Sequence, residues 1–214
     1  MKKNKIYDEI IEHYESCLEK YGDSHLGVDW PKIGDVDKRY QVMLEIIDLH
    51  IKGKIKLLDF GCGTSHLYEY IKKHNREKIE YYGLDISEKF INLSKSKFPS
   101  ITYYHSDILE DDTCIPNFDY IIMNGIFTEK RGLSFNEMLD YFKELIEKVF
   151  KKANRGIAFN VMSKHVDWER DDLFHLPFDV MADFLKKNIS RHFIIRNDYG
   201  LYEYSVFVYK EENI

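Results

Sequence analysis

The chain of 214 residues has only three cysteines, and Cys17, Cys62 and Cys114 stand far apart. An odd, scattered set excludes a disulfide-framed fold. With no CxxC pair or Cys/His cluster in the sequence, no metal site is expected. No apolar run approaches the length of a membrane span. The basic start Met1-Lys2-Lys3-Asn4-Lys5 lacks the apolar core of a signal peptide. A reducing cytoplasm is the expected setting. Positive charge is also short: 31 Lys and Arg face 37 Asp and Glu, for a net charge of −6. Basic residues often sit beside acidic ones, as in Lys143-Glu144 and Glu147-Lys148, so no nucleic-acid partner is expected. Repeats and low-complexity linkers are absent too. What remains is a 44% hydrophobic, 15% aromatic chain, the composition of one globular domain with an appendage.

Periodicity divides the chain near residue 52. Ile6, Ile10, Ile11, Tyr14 and Leu18 have helical spacing over residues 4–21, as do Tyr40, Met43, Leu44, Ile47 and Ile51 over residues 36–51. Such an amphipathic segment, residues 1–52, is expected to cap its own domain or a neighbour's, which leaves a homodimer open. Residues 53–214 then alternate short apolar runs with helical ones, the pattern of βα units on a mostly parallel sheet. Strands are predicted at 56–60, 79–84, 101–105, 118–123 and 156–162. Ser87 is placed as a helix N-cap, and Ser134-Phe-Asn-Glu137 as a capping box opening a helix to about residue 152. Pro177 opens a helix to about residue 188. Residues 192–196 and 203–210, around Asn197-Asp198-Tyr199-Gly200, read as a closing antiparallel hairpin.

Chemistry concentrates at the ends of the first three strands. Leu57-Leu58-Asp59-Phe60-Gly61-Cys62-Gly63-Thr64 lies between a predicted strand and a predicted helix, where glycines allow a tight turn and close backbone approach to a ligand. Asp85 ends the second strand, where a carboxylate can accept both hydroxyls of a ribose. Asp107 follows the third and can accept from the exocyclic amine of an adenine. A G-x-G turn alone is weak; three acidic residues at three successive strand ends are much harder to reach by chance. A dinucleotide site favours a third glycine, where this chain has His66. Asp59 also fits poorly beside a pyrophosphate and suits a cofactor whose near end is an ammonium.

Asp59-Phe60-Gly61-Cys62-Gly63-Thr64, Asp85, Asp107 and Phe118-Asp119-Tyr120-Ile121-Ile122-Met123-Asn124-Gly125 together resemble the class I S-adenosylmethionine-dependent methyltransferases, over roughly residues 55–210. The resemblance implies a Rossmann-like α/β fold, a seven-stranded sheet in the order 3-2-1-4-5-7-6 with the last strand antiparallel. It implies S-adenosyl-L-methionine as cofactor. Gly61 and Gly63 would pass under the methionine portion, with Asp59 acting on the ammonium through water or backbone groups. Asp85 would hold the ribose, with Ile86 against the adenine. Asp107, followed by Ile108, would reach its amine, and Asn124 and Ile126 would line the sulfonium end. Family members also use an N-terminal Arg to pair with the methionine carboxylate, and Arg39 is the candidate. Trp30 is a candidate lid residue.

The loop after the fifth strand, Ser163 to His175, faces the ligand crevice of an open α/β sheet. It carries His165, Asp167, Arg170, Asp172 and His175. His175 or His165, oriented by Asp172 or Asp167, is the candidate general base for an oxygen acceptor. The stretch Asn124-Gly125-Ile126-Phe127-Thr128-Glu129 offers one acidic residue where catechol-type members hold Mg²⁺, and it lacks the Asn-Pro-Pro-Phe/Tyr motif of amino-group methylation. Gly27-Val28-Asp29-Trp30, Asp171-Asp172-Leu173-Phe174-His175 and Asn197-Asp198-Tyr199 are similar to small methyltransferases among bacterial surface-carbohydrate enzymes. The expected activity is O-methylation of a sugar-like or acidic small molecule. The rival readings are a different transfer from a related adenosyl thioether and a non-catalytic cofactor-binding protein.

Overall fold

Strand β1 (Ile55–Phe60) shows how the sheet is covered on both faces. Ile55 and Leu57 enter one apolar core, while Leu58 and Phe60 enter the other. Successive strand residues point to opposite faces, so an apolar run of this kind needs helices on both sides. The computed structural model describes residues 5–213. Residues 1–4, which hold most of the basic start and the first position of the predicted helix, and residue 214 lie outside it.

The elements follow as α1 (Asp8–Tyr21), α2 (Ile33–Met43), β1, α3 (His66–Lys73), β2 (Ile79–Asp85), α4 (Glu88–Lys97), β3 (Thr102–His105), β4 (Phe118–Phe127), α5 (Phe135–Lys152), β5 (Ala153–Ser163), β6 (His175–Leu176), α6 (Phe178–Phe184), β7 (Phe193–Arg196) and β8 (Glu203–Tyr209). The sheet runs β3-β2-β1-β4-β5-β8-β7, with the two-residue β6 beside the end of β5. With that short strand set aside, this is the expected 3-2-1-4-5-7-6 order. β8 pairs antiparallel with both β5 and β7. The fold is Rossmann-like α/β.

Helices α5 and α6 cover one face through Met138, Phe142, Leu145, Ile146, Met181 and Phe184. Helices α2 and α3 cover the other through Tyr40, Met43, Leu67, Tyr70 and Ile71. The segment expected to cap the domain divides between the two: α2 packs in the second core, whereas α1 joins the first through Ile10, with Tyr7 just before it. The capping box forms as expected, with Glu137 N–H donating to the Ser134 hydroxyl and Ser134 N–H to the Glu137 carboxylate. Ser87 precedes α4 but makes no side-chain cap; its hydroxyl donates instead to Glu15 on α1 at 2.6 Å. The stretch predicted as helix to residue 188 is α6 followed by one π turn, Leu185–Ile189. β4 runs four residues past the predicted end, because a register irregularity between Met123 and Phe127 bends it there. That bend supplies part of the site. No helix among the described residues is long and apolar enough to cross a membrane.

Candidate active site

The turn after β1 is held against the end of β2. Gly61 and Cys62 N–H both donate to the Leu84 carbonyl, at 2.7 and 2.9 Å, and Gly63 N–H donates to Asp85 Oδ2 at 2.9 Å. The other Asp85 oxygen accepts from Ser87 N–H at 2.9 Å. Gly61 and Gly63 have φ of +72° and +52°. The left-handed region explains glycine at both. At Gly61 a Cβ would also lie 2.2 Å from Ile126 Cδ1. Ser65, left-handed and fully buried at the start of α3, is anchored to Ser94 and Tyr103, each at 2.9 Å.

Above this turn opens a cavity at the C-terminal edge of the sheet. Asp59, Gly61, Gly63, Asp85, Ile86, Asp107, Ile108, Asn124 and Ile126 all line it. The structure therefore brings together every expected cofactor-side residue except Arg39. Asp59 is buried and accepts the Tyr81 hydroxyl at 2.7 Å. Burial, reinforced by the charge of Asp85, pushes its carboxyl up to about 7. Burial also raises Asp85 to about 6, against three backbone hydrogen bonds that favour the anion. Asp107 goes the other way. Although burial opposes it, hydrogen bonds from Lys5 and Tyr7 hold its carboxyl below the usual range. Asn124, at the bend of β4, keeps both amide atoms buried with no partner within the protein. An orphaned amide in a cavity is what a polar ligand is needed to satisfy.

Arg39 is turned away. Its Nε donates to both carboxylate oxygens of Glu203, at 3.1 and 3.0 Å, and its guanidinium lies 5.1 Å from the Trp30 ring centre. Its Nη1 is buried with no partner within the protein, and Arg39 does not line the cavity that the other expected cofactor-side residues share. Glu203 also accepts from Asn160 Nδ2, whose Oδ1 takes the Gly125 N–H at 2.7 Å. A buried polar chain thus links the closing hairpin to the bend carrying Asn124.

The expected catalytic set does not line the cavity either. Both ring nitrogens of His175 are engaged, Nδ1 with the Ser163 carbonyl at 2.7 Å and Nε2 with the Arg170 N–H at 3.4 Å. His165 packs on Phe178 with ring centres 4.5 Å apart. Asp172 is bound by Arg170 and Arg131 instead of either histidine. Asp167 is exposed. The loop lies at the predicted edge of the sheet, but the pairing of β6 with β5 draws His175 inward and away from the cavity.

The roof is formed by Trp30, the expected lid candidate, together with residues not anticipated as ligand contacts. Tyr7, just before α1, and Ile10, Ile11 and Tyr14 of α1 line it with Val28 and Trp30 from the following loop. The Tyr14 hydroxyl donates to the Gly125 carbonyl at 3.0 Å. At Gly125, with φ of +87°, a Cβ would lie 3.4 Å from Trp30 Nε1. The apolar stripe of α1 was legible as a buried face, but what it covers was not. Asn160, a polar residue inside an apolar strand, was the one local sign of the buried chain behind Gly125.

A Rossmann-like sheet with a glycine turn after β1 and acidic groups at the ends of β1, β2 and β3 defines the class I methyltransferase architecture. Residues 58–156 match the family model described as a methyltransferase domain. The chain is 25% identical to a putative methyltransferase of Mycobacterium tuberculosis over 154 residues, covering 71% of this chain and 91% of that one. It is 23% identical to a ubiquinone/menaquinone biosynthesis C-methyltransferase of Campylobacter jejuni, covering 70% and 66%. Its fold matches the magnesium protoporphyrin IX methyltransferase of Synechocystis, solved with bound S-adenosylmethionine, at a TM-score of 0.67 and 14% identity over 99% of this chain and all of that one. The chain therefore carries a methyltransferase domain over residues 58–156 and has the fold of S-adenosylmethionine-dependent methyltransferases, with S-adenosylmethionine as the cofactor. The residues fit that group: the unpaired Asn124 amide and the buried carboxylates of Asp59 and Asp85 face one cavity whose floor is two glycines.

Asp59 yields a pH prediction. Its carboxyl rises from an ordinary 3.8 to about 7 in the folded chain, so folding favours the protonated form. Its stabilising contribution is complete below 3.8 and is lost as pH rises toward about 7. Asp59→Asn, which keeps a neutral acceptor for Tyr81, should raise the melting temperature of the cofactor-free protein at and above neutral pH. The expected gain is about 2–4 °C per kcal/mol recovered. Thermal scans of both proteins across that range check this; equal pH dependence in the two would show that Asp59 is not the titrating group.

Proposed function

We propose that the chain transfers the methyl group to an anionic oxygen of a small acidic metabolite. The observation that carries this reading is the unpaired Asn124 amide at the bend of β4, in the same cavity as the glycine turn. Asp85 holds the ribose hydroxyls, and Ile86 and Ile108 flank the adenine. Asp107, whose charge is shared with Lys5 and Tyr7, takes the adenine amine. Gly61 and Gly63 let the backbone approach the methionine portion. Asp59 provides negative charge toward its ammonium, and Asn124 and Ile126 border the sulfonium end. S-adenosylmethionine, when bound, supplies an electrophilic methyl group.

The protein's own contribution is positioning and exclusion of water. Tyr14 and Trp30 close the cavity over the bend of β4. Holding two reactants in a near-attack arrangement is worth up to roughly 7–11 kcal/mol. An acidic acceptor is the reading that needs no general base from the cavity wall. The imidazole that lines the cavity, His66, is already tied to Asp23 and Thr64. The Tyr14 phenol is pushed well above its ordinary value, chiefly by burial, which leaves it a poor proton acceptor. A carboxylate or comparable oxyanion needs no base.

Turnover assays with panels of carboxylate and hydroxyl acceptors, read as S-adenosylhomocysteine release, test this. Methylation confined to acidic acceptors is expected. His165→Ala and His175→Ala should keep turnover within about twofold of the parent across pH. A loss of roughly 10²-fold or more in either would restore a general base and overturn the anionic-acceptor reading.

A further inference from the structure

Helix α1 presents His13 and Cys17 one turn apart, an i, i+4 pair on a single face. The loop between α1 and α2 brings Asp29 against them. His13 Nε2 lies 2.7 Å from Asp29 Oδ2 and 3.9 Å from Cys17 Sγ, and the three atoms all lie within 4.8 Å of one another. All three residues are partly buried, and among the described residues no second group of three such side chains converges in this way. Asp29 adopts a left-handed φ of 56° to reach this position. Besides this cluster, the same loop contributes Val28 and Trp30 to the cavity roof, as α1 contributes Ile10, Ile11 and Tyr14.

We propose that His13, Cys17 and Asp29 form a zinc site that fastens the roof helix to the Val28–Trp30 loop. One imidazole nitrogen, one thiolate sulfur and one carboxylate oxygen make a mixed set that suits Zn²⁺, whereas Ca²⁺ and Mg²⁺ take oxygen ligands. Tetrahedral zinc, with bonds of about 2.3 Å to sulfur and about 2.0–2.2 Å to nitrogen and oxygen, places its ligand atoms roughly 3.3–3.6 Å apart. The observed separations of 2.7 and 3.9 Å straddle that range and reach it by small side-chain rotations. Binding replaces the His13–Asp29 hydrogen bond, with His13 coordinating as the neutral imidazole, and releases the Cys17 proton to solvent. Three protein ligands leave a fourth position for water.

The consequence for the roof follows from linkage. Zinc holds α1 and the loop in the arrangement that closes the cavity, so zinc and S-adenosylmethionine each tighten binding of the other. This consequence rests on the cofactor lying in that cavity; zinc binding itself does not.

The test uses the full chain, stripped of metal with a chelator and titrated first with Co²⁺ and then with Zn²⁺. One equivalent of cobalt should bind with a thiolate-to-cobalt charge-transfer band and the visible spectrum of a tetrahedral site, and zinc should displace it. Cys17→Ser should abolish the charge-transfer band. His13→Ala and Asp29→Ala should weaken zinc binding at least tenfold by calorimetry, while Cys114→Ser leaves both readings unchanged. Circular dichroism of each variant separates a lost site from a lost fold. A cobalt spectrum with no thiolate band, or one that survives in Cys17→Ser, would overturn the site. Stoichiometric zinc that leaves S-adenosylmethionine affinity unaltered would overturn the fastening role.

Discussion

Asp85→Ala should weaken S-adenosylmethionine binding by roughly 10- to 100-fold and weaken the demethylated product to a similar degree. The proposed contact is with the ribose, which both ligands carry. The magnitude follows from losing hydrogen bonds to a charged acceptor, worth about 1.5–3 kcal/mol. Asp85 also holds the glycine turn through Gly63 N–H and the start of α4 through Ser87 N–H. Asp85→Asn separates the two roles. Its amide oxygen can still accept from one backbone N–H, but it lacks the charge and presents donors to donor hydroxyls. Calorimetry on both variants should show a marked loss of affinity in each, with the far-ultraviolet spectrum preserved. Unchanged affinity in a folded Asp85→Ala protein would remove the ribose assignment. A pH profile gives a second check. The carboxyl stands near 6 in the cofactor-free protein, chiefly through burial. Affinity for both ligands should therefore fall as pH drops through that value, and this dependence should be absent in Asp85→Asn.

Glu203→Ala should destabilise the protein by about 3–5 kcal/mol, the usual result of leaving one member of a buried ion pair without its partner. Only 3% of the Glu203 side chain and 13% of Arg39 is exposed, so water cannot replace what is removed. Arg39 Nη1 already lacks a partner, and deleting the carboxylate would leave the rest of the guanidinium unpaired beside it. Asn160 would lose the acceptor for its amide while still holding Gly125. Urea unfolding measures the effect, and a change below about 1 kcal/mol would show that the pair is not a buried link. The double variant Arg39→Met with Glu203→Leu should recover much of the loss, since apolar replacement of a buried pair is often neutral or stabilising.

The parallel βα units, the closing hairpin and the α5 capping box were legible because each depends on residues close together in the chain. Apolar alternation, turn residues and a Ser-x-x-Glu spacing act over a few positions. The cofactor-side set was legible for a related reason. Consecutive strands of a parallel sheet end at the same edge, so a glycine turn and acidic residues at successive strand ends must meet. Asp59, Asp85 and Asp107 illustrate this, although nothing local indicated that Lys5 and Tyr7 would engage the last of them.

Arg39 marks where that reasoning stops. Its partner Glu203 lies 164 positions away, and two carboxylates could in principle compete for it. Only the packed chain decides which one is within reach. His175 was placed at the right edge of the sheet, but the β6 pairing sets the direction of its ring. His13 and Cys17 have visible helical spacing, yet Asp29 joins them only when the following loop folds back. By itself, then, the sequence determined the parallel βα units, the closing hairpin and the gathering of the glycine turn with three acidic groups at one edge, because those follow from short-range periodicity and strand direction. The strand order came from the family resemblance. The tertiary structure alone decided which cations are already spent, which imidazoles face the cavity and what roofs it. Those outcomes depend on side-chain direction and on contacts between remote segments, which periodicity does not encode.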